Sequence, residues 1–155
     1  MAFAIWSPDF DDKGWIPQRF TADGANVSPA LIWHDPPQPV KSFALICDDQ
    51  DAPMGTWTHW VAYDMPGSKD RLAEAVPAKD TIPGEMKQGL NTWNRIGYGG
   101  PSPPPGKPHR YFFKLYALDV TLDVPARPDK SALLKAMEGH ILGQAEFHGV
   151  YGRKG

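Results

Sequence analysis

Carboxylate, imidazole and indole side chains are concentrated in one short segment, DDQDAPMGTWTHW, at residues 48–60: Asp48, Asp49, Asp51, Trp57, His59 and Trp60. The segment directly follows the apolar run Phe43 to Cys47, which reads as a buried strand. A carboxylate near an imidazole suits either acid–base chemistry or recognition of an ionic ligand. The segment is therefore either a solvated loop or the rim of a pocket.

Strand parity favours the pocket, because alternate residues of a strand share one face. His109 and Tyr111 begin the strand HRYFFKLYAL in phase with its apolar residues, and Asp49 is in phase with Cys47. In WTHWVAY the same rule assigns one face to Trp57, His59, Val61 and Tyr63. We therefore expect Asp49, His59 and His109 to meet at one cavity. The alternative is that each histidine is structural and that Asp49 forms a turn before Ala52-Pro53.

Turn residues divide the rest of the chain into short elements. The 17 prolines and 15 glycines are spread along the sequence, as is typical of all-β domains. We predict strands at 3–7, near 15–20, at 30–35, at 42–48, at 58–64 and from 109 onward, with a closing strand in the tail at 147–153. A short helix is predicted near 69–75. A helical period then runs through Leu133, Leu134, Met137 and Ile141, capped by Asp129 or Ser131, and Gly139 is the point at which it could divide into two helices. Residues 1–155 are expected to form one mainly antiparallel β domain.

Several classes of protein are disfavoured by composition. The net charge of −2 predicts no attraction to nucleic acid or to anionic lipid. The chain has one cysteine, Cys47, placed as a buried structural thiol. It has neither an apolar run of membrane-spanning length nor a secretory signal pattern, so we expect a cytoplasmic protein without membrane insertion. The G-x-S-x-G and H-E-x-x-H motifs are absent.

The segment GGPSPPPGKP at 99–108 is too rich in proline and glycine for a helix or a central strand. As a rigid loop beside a pocket, it would let Gly99 and Gly100 turn backbone N–H groups toward an oxyanion. As a polyproline stretch, it would instead be a ligand for a partner protein. The GYGG sequence does not match the dinucleotide-binding pattern.

Taken together, these segments resemble the phosphatidylethanolamine-binding protein family, which includes the Raf kinase inhibitor protein of animals, and its short bacterial branch above all. The similarity is carried in order by SPALIWHDPP, DDQDAP, WTHWVAYDMP, YGGPSPPPGKPHRYFFKLYALD and LLKAMEGHILGQAEFHGVYGR. It implies a β-sandwich of two antiparallel sheets with short helices and a small anion-binding cavity. The matching ligand-binding positions are Asp49, Trp57, His59, Gly100, Pro101, His109 and Tyr111. Arg110 is expected to pair with Asp51 behind the pocket.

The resulting prediction is a binding protein with no cofactor and no metal, whose pocket takes a phosphate, a phospholipid head group or another phosphorylated ligand. The resemblance also implies a modulator of kinase or protease partners and a homodimer. The alternative is a metal-dependent or acid–base hydrolase that uses Asp49, His59 and His109. A third interpretation is a stable sandwich that acts through a partner surface.

Overall fold

The computed structural model describes residues 2–154. Its strands are β1 Ala4–Trp6, β2 Leu31–His34, β3 Ser42–Asp49, β4 Trp57–Pro66, β5 Arg71–Leu72, β6 Thr81–Ile82, β7 Met86–Gln88, β8 His109–Leu118 and β9 Ile141–Tyr151. A 3-10 helix spans Gln18–Phe20, and one α-helix, α1, spans Lys130–Met137. The mainly β fold class predicted from the sequence is thus confirmed. None of the helices within 2–154 has the length and apolarity needed to cross a membrane.

The strands form two antiparallel sheets. The smaller sheet has the order β1-β2-β5, and the larger has the order β6-β7-β4-β3-β8-β9. Strand β3 lies inside the larger sheet and pairs with β4 on one side and with β8 on the other. The predicted site residues Asp49, His59 and His109 therefore lie on three adjacent strands, β3, β4 and β8.

Both faces of β3 are covered, which explains its nearly continuous apolar sequence. One face packs against the smaller sheet through Phe43, Leu45 and Cys47. The other face belongs to a second core, where Ala44 and Ile46 pack with side chains of α1. All eight residues of β3 are buried. Its last two residues, Asp48 and Asp49, therefore have buried carboxylates on opposite faces of the sheet.

The helix α1 covers the second core. Asp129, one of the two predicted caps, is its N-cap. The Asp129 carboxylate accepts a hydrogen bond from Ala132 N at 2.9 Å. The prediction that the helical period continues to Ile141 is wrong. Gly139 has a φ of +79°, which turns the chain, and Ile141 begins β9.

Two shorter predictions are also wrong. The segment near 15–20 pairs only through an isolated bridge between Trp15 and Val150 before Pro17 leads into the 3-10 helix. The predicted helix at 69–75 is replaced by β5, in which Leu72 is buried opposite Leu31. Pro17 limits strand pairing in the first segment, and pairing with β2 decides the conformation of the second.

The packing of α1 generates a stability prediction. Leu133 is fully buried in the second core, whereas its neighbour Leu134 is 36% exposed. We expect Leu133→Ala to lower the free energy of unfolding by about 2–5 kcal/mol, because it leaves a cavity. The matched control Leu134→Ala should change it by less than about 1 kcal/mol. Urea unfolding of both variants measures this difference, and equal losses would contradict the proposed packing of the helix.

Candidate functional site

A cavity of about 220 Å³ opens where β3 ends and β4 and β8 begin. Pairing fixes its position, because Asp49 lies opposite Trp57 on one side and opposite Tyr111 on the other. The residues that line the cavity are Asp49, Ala52, Pro53, Trp57, His59, Trp93, Ser102, Pro103, Pro104, His109 and Tyr111. Five of the seven residues predicted from the sequence are therefore in its lining.

A β-bulge brings His59 to this cavity. Cys47 pairs with Trp60 and Asp48 pairs with Thr58, which leaves His59 as the extra residue of β4. The bulge changes the parity of the strand, so the prediction that Trp57, Val61 and Tyr63 share one face is wrong. Trp57 lines the pocket, whereas Val61 and Tyr63 belong to the second core under α1.

Asp49 and His109 form a buried pair in the lining of the cavity. His109 Nδ1 lies 2.6 Å from Asp49 Oδ2, and the two side chains are 9% and 6% exposed. The second carboxylate oxygen, Oδ1, accepts a hydrogen bond from Asp51 N at 2.8 Å. Both oxygens of Asp49 are therefore engaged within the protein. The contact with Oδ2 orients the imidazole of His109, and its other ring nitrogen, Nε2, is left for another partner.

His59 is held between two aromatic rings. Trp93 and Tyr111 approach its imidazole edge-to-face, with ring centroids 4.8 Å and 5.1 Å away. Its Nδ1 lies 2.6 Å from Gly99 O and donates to that carbonyl. Burial lowers the pKa of His59 below its ordinary value, although the Gly99 carbonyl and the Asp49 charge act in the opposite direction. The neutral ring then offers Nε2 as an acceptor.

Two further polar atoms of the lining are buried without a hydrogen-bond partner among residues 2–154. They are Trp57 Nε1 and the Tyr111 hydroxyl. Burial raises the pKa of Tyr111 far above its ordinary value, and the charge and the nearby carboxylate of Asp49 act in the same direction, although that carboxylate lies outside hydrogen-bond geometry. The hydroxyl therefore keeps its proton. The cavity thus contains two hydrogen-bond donors that the described part of the protein does not satisfy.

Gly100 and Pro101 lie behind the lining rather than in it. Gly100 N donates to Asn26 Oδ1 at 2.7 Å, and Pro101 O accepts from Ala22 N at 2.9 Å. Gly99 N likewise donates to His59 O at 2.9 Å. The N–H groups of both glycines are therefore engaged within the protein, contrary to the expectation that they face an anion. The following residues, Ser102, Pro103 and Pro104, provide that wall of the pocket.

The sequence pattern did not identify Trp93, although it contacts two residues of the site. Its ring lies 5.5 Å from that of Trp57 in addition to its contact with His59. A Cβ on Gly99 would approach the Trp93 ring to 2.5 Å, so the glycine gives this indole its space. Trp93 lies in the irregular chain between β7 and β8, where no strand or helix period indicates a direction.

Arg110 lies on the outer side of the strand and holds Asp51, as expected. Its Nε and Nη2 each donate to the Asp51 carboxylate at 3.0 Å, and its backbone N donates at 2.8 Å. The Arg110 guanidinium holds the pKa of Asp51 below its usual value. The pair is partly exposed, with Arg110 52% and Asp51 30% accessible, so its main effect is to fix the turn after Asp49.

This fold and pocket define a class: antiparallel β-sandwich proteins with a small histidine-containing cavity at one end of the larger sheet. The family model described as phosphatidylethanolamine-binding protein matches residues 6–152. The chain belongs to the phosphatidylethanolamine-binding protein family, as the resemblance of its segments predicted.

Similar proteins come from archaea and bacteria. A UPF0098 protein of Methanothermobacter thermautotrophicus is 50% identical over 144 residues, which cover 93% of this chain and 95% of that protein. The crystal structure of CT736, a phosphatidylethanolamine-binding protein homologue from Chlamydia trachomatis, has a TM-score of 0.90, 38% identity and 99% coverage of both chains. Escherichia coli YbcL has a TM-score of 0.91 and 29% identity, covering 99% of this chain and 100% of its own.

The environment of His59 predicts its titration. Because burial disfavours the charged ring, we expect His59 to titrate below its ordinary pKa of 6.5 and to carry its proton on Nδ1 at neutral pH. Long-range ¹H–¹⁵N correlation spectra across a pH series report both properties. His148, which is half-buried on β9 and outside the pocket lining, is a second imidazole in the same sample. Titration of His59 at or above 6.5, or a proton on Nε2, would contradict the proposed hydrogen bond to Gly99.

Proposed function

We propose that this protein binds a small anionic group, phosphate or the phosphoryl part of a larger ligand, in the cavity between His59 and His109. The observation that carries the proposal is the pair of unsatisfied donors, Trp57 Nε1 and the Tyr111 hydroxyl, in one buried lining. An unsatisfied buried polar group costs about 1–3 kcal/mol, so such groups call for an explanation. An oxyanion that accepts from both donors would remove that cost.

The two imidazoles provide complementary contacts. His109 is oriented by Asp49, and its Nε2 can donate to an anion once the ring is protonated. Neutral His59 offers an acceptor at Nε2, which suits a ligand oxygen that carries a proton, as a phosphate monoester does below its second pKa of about 6. The same pocket thus presents donors and an acceptor to a partly protonated phosphoryl group.

The size and walls of the cavity restrict the rest of the ligand. Its volume of about 220 Å³ lies below the roughly 300–1,000 Å³ typical of sites for drug-sized molecules. The apolar part of the lining includes Trp57, Trp93, Pro53, Pro103 and Pro104. A phosphoryl group bearing a short apolar or ethanolamine substituent fits this arrangement, and the family description names a lipid that contains such a phosphodiester.

The hydrolase alternative has no comparable support. Among residues 2–154, no group of three or more His, Cys, Asp or Glu side chains is arranged to hold a metal ion. Both oxygens of Asp49 are already bonded to Asp51 N and His109. A cytoplasmic location, a kinase or protease partner and a homodimer stay predictions from the sequence.

Removal of the Tyr111 hydroxyl tests the site directly. We expect Tyr111→Phe to leave the unliganded protein as stable as before or slightly more stable, because the lost hydroxyl has no hydrogen-bond partner within residues 2–154. Its affinity for inorganic phosphate should fall by at least about tenfold, since a hydrogen bond to a charged group contributes roughly 1.5–3 kcal/mol. Isothermal titration calorimetry measures the affinity, and thermal unfolding measures the stability.

Tyr116→Phe is the matched control, because Tyr116 lies on the same strand and packs in the second core. It should bind phosphate as the wild type does, whereas His109→Ala should weaken binding tenfold or more. Titration with phosphorylethanolamine distinguishes a free phosphate site from one for a lipid head group. Wild-type affinity in both Tyr111→Phe and His109→Ala would reject the proposed pocket.

A further inference from the structure

The wall formed by Ser102, Pro103 and Pro104 has few internal restraints. It lies in irregular chain before β8, and two of its residues are prolines, which have no backbone N–H to donate. The ends of the segment are bonded through Pro101 O to Ala22 N and through Gly106 N to Arg153 O, at 2.9 Å and 3.0 Å. The position of the wall between these ends needs another contact.

Arg153, which follows β9, supplies that contact. Its Nη1 donates to Pro103 O at 3.0 Å, and its Nη2 lies 3.4 Å from Ser102 Oγ. Within 2–154, these are the side-chain hydrogen bonds that reach residues 102–104 from elsewhere in the chain, and the main chain of Arg153 also forms an isolated bridge with Pro105. One guanidinium thus holds both a main-chain and a side-chain atom of the pocket wall.

The guanidinium is itself fixed from the opposite side. Its Nε and Nη2 donate to the two oxygens of Asp23 at 3.0 Å and 2.7 Å, in a bidentate pair. Asp23 Oδ2 also accepts from the Tyr151 hydroxyl at 2.6 Å. These contacts hold the pKa of Asp23 below its usual value, so its carboxylate stays charged. Because Arg153 is fixed by Asp23, its remaining donors define where the wall can lie.

We propose that Arg153 is a positioning residue of the anion pocket. It sets the distance between the wall at residues 102–104 and the imidazoles of His59 and His109. This inference rests on the proposed binding function. The planar fork of arginine is essential to it, since a lysine ammonium cannot donate to Asp23 in a bidentate pair and to Pro103 O in the same geometry. The charge of Arg153 also reaches the pocket, where it lowers the pKa of Tyr111 against the larger effect of burial.

The test compares Arg153→Gln and Arg153→Lys in the full chain, with inorganic phosphate as the probe. We expect both variants to bind phosphate at least about tenfold more weakly than the wild type. Arg127→Gln is the matched control, because Arg127 pairs with Asp80 at 3.1 Å and lies outside the pocket lining. It should bind phosphate with the wild-type affinity.

Amide hydrogen exchange separates positioning from a general loss of structure. In both Arg153 variants, exchange should accelerate at Ala22, whose N–H donates to Pro101 O, and stay unchanged in β3. Asp23→Asn retains Arg153 and weakens its anchor, so it should loosen the same amide and also reduce affinity.

Wild-type affinity for phosphate in Arg153→Gln would overturn the inference. Wild-type affinity in Arg153→Lys, with weakened binding in Arg153→Gln, would also overturn it, because the effect would then depend on charge alone. If the wild type does not bind phosphate, the proposed function fails. The exchange of Ala22 still decides whether Arg153 positions the wall.

Discussion

The pairing of β3 with both of its neighbours is the constraint on which the pocket depends. It places Asp49 beside Trp57 and Tyr111, and the bulge opposite Cys47 and Asp48 lets His59 reach the same end of the sheet. A shift of one residue in either pairing would exchange the faces of the paired side chains and separate these groups. Because β3 is buried on both sides, the cores specify this register more strongly than any interaction within the pocket.

The neighbouring carboxylates of β3 have different roles. Asp49 orients His109 in the pocket, whereas Asp48 is fully buried on the opposite face. Lys130 Nζ lies 2.7 Å from Asp48 Oδ2, and Thr58 Oγ1 donates to Asp48 Oδ1 at 2.9 Å. Buried ion pairs add little net stability but can fix geometry. This one connects the start of α1 to the bulged segment of β4, so the second core and the pocket share a polar link.

Sequence parity was reliable where the strands are regular. On β8, the pairing runs without a shift from His109 to Ala117, and the predicted face of His109 and Tyr111 agrees with the structure. On β4, parity failed, because a bulge arises from pairing with a distant strand and has no local signal. Trp93 could not be predicted for a related reason, since it comes from irregular chain. The positions of Gly100 and Pro101 depend on contacts with the turn at 22–26, which one sequence does not reveal.

The edge-to-face contact between Trp93 and His59 has an optical consequence. Indole emission is sensitive to the charge of an adjacent imidazole, and these two rings lie 4.8 Å apart. Trp93 is also 38% exposed, so its emission responds to solvent at the cavity mouth. Trp93 is therefore a natural fluorophore at the pocket, placed to respond to the protonation of His59 and to the entry of a ligand, alongside the emission of the other five tryptophans.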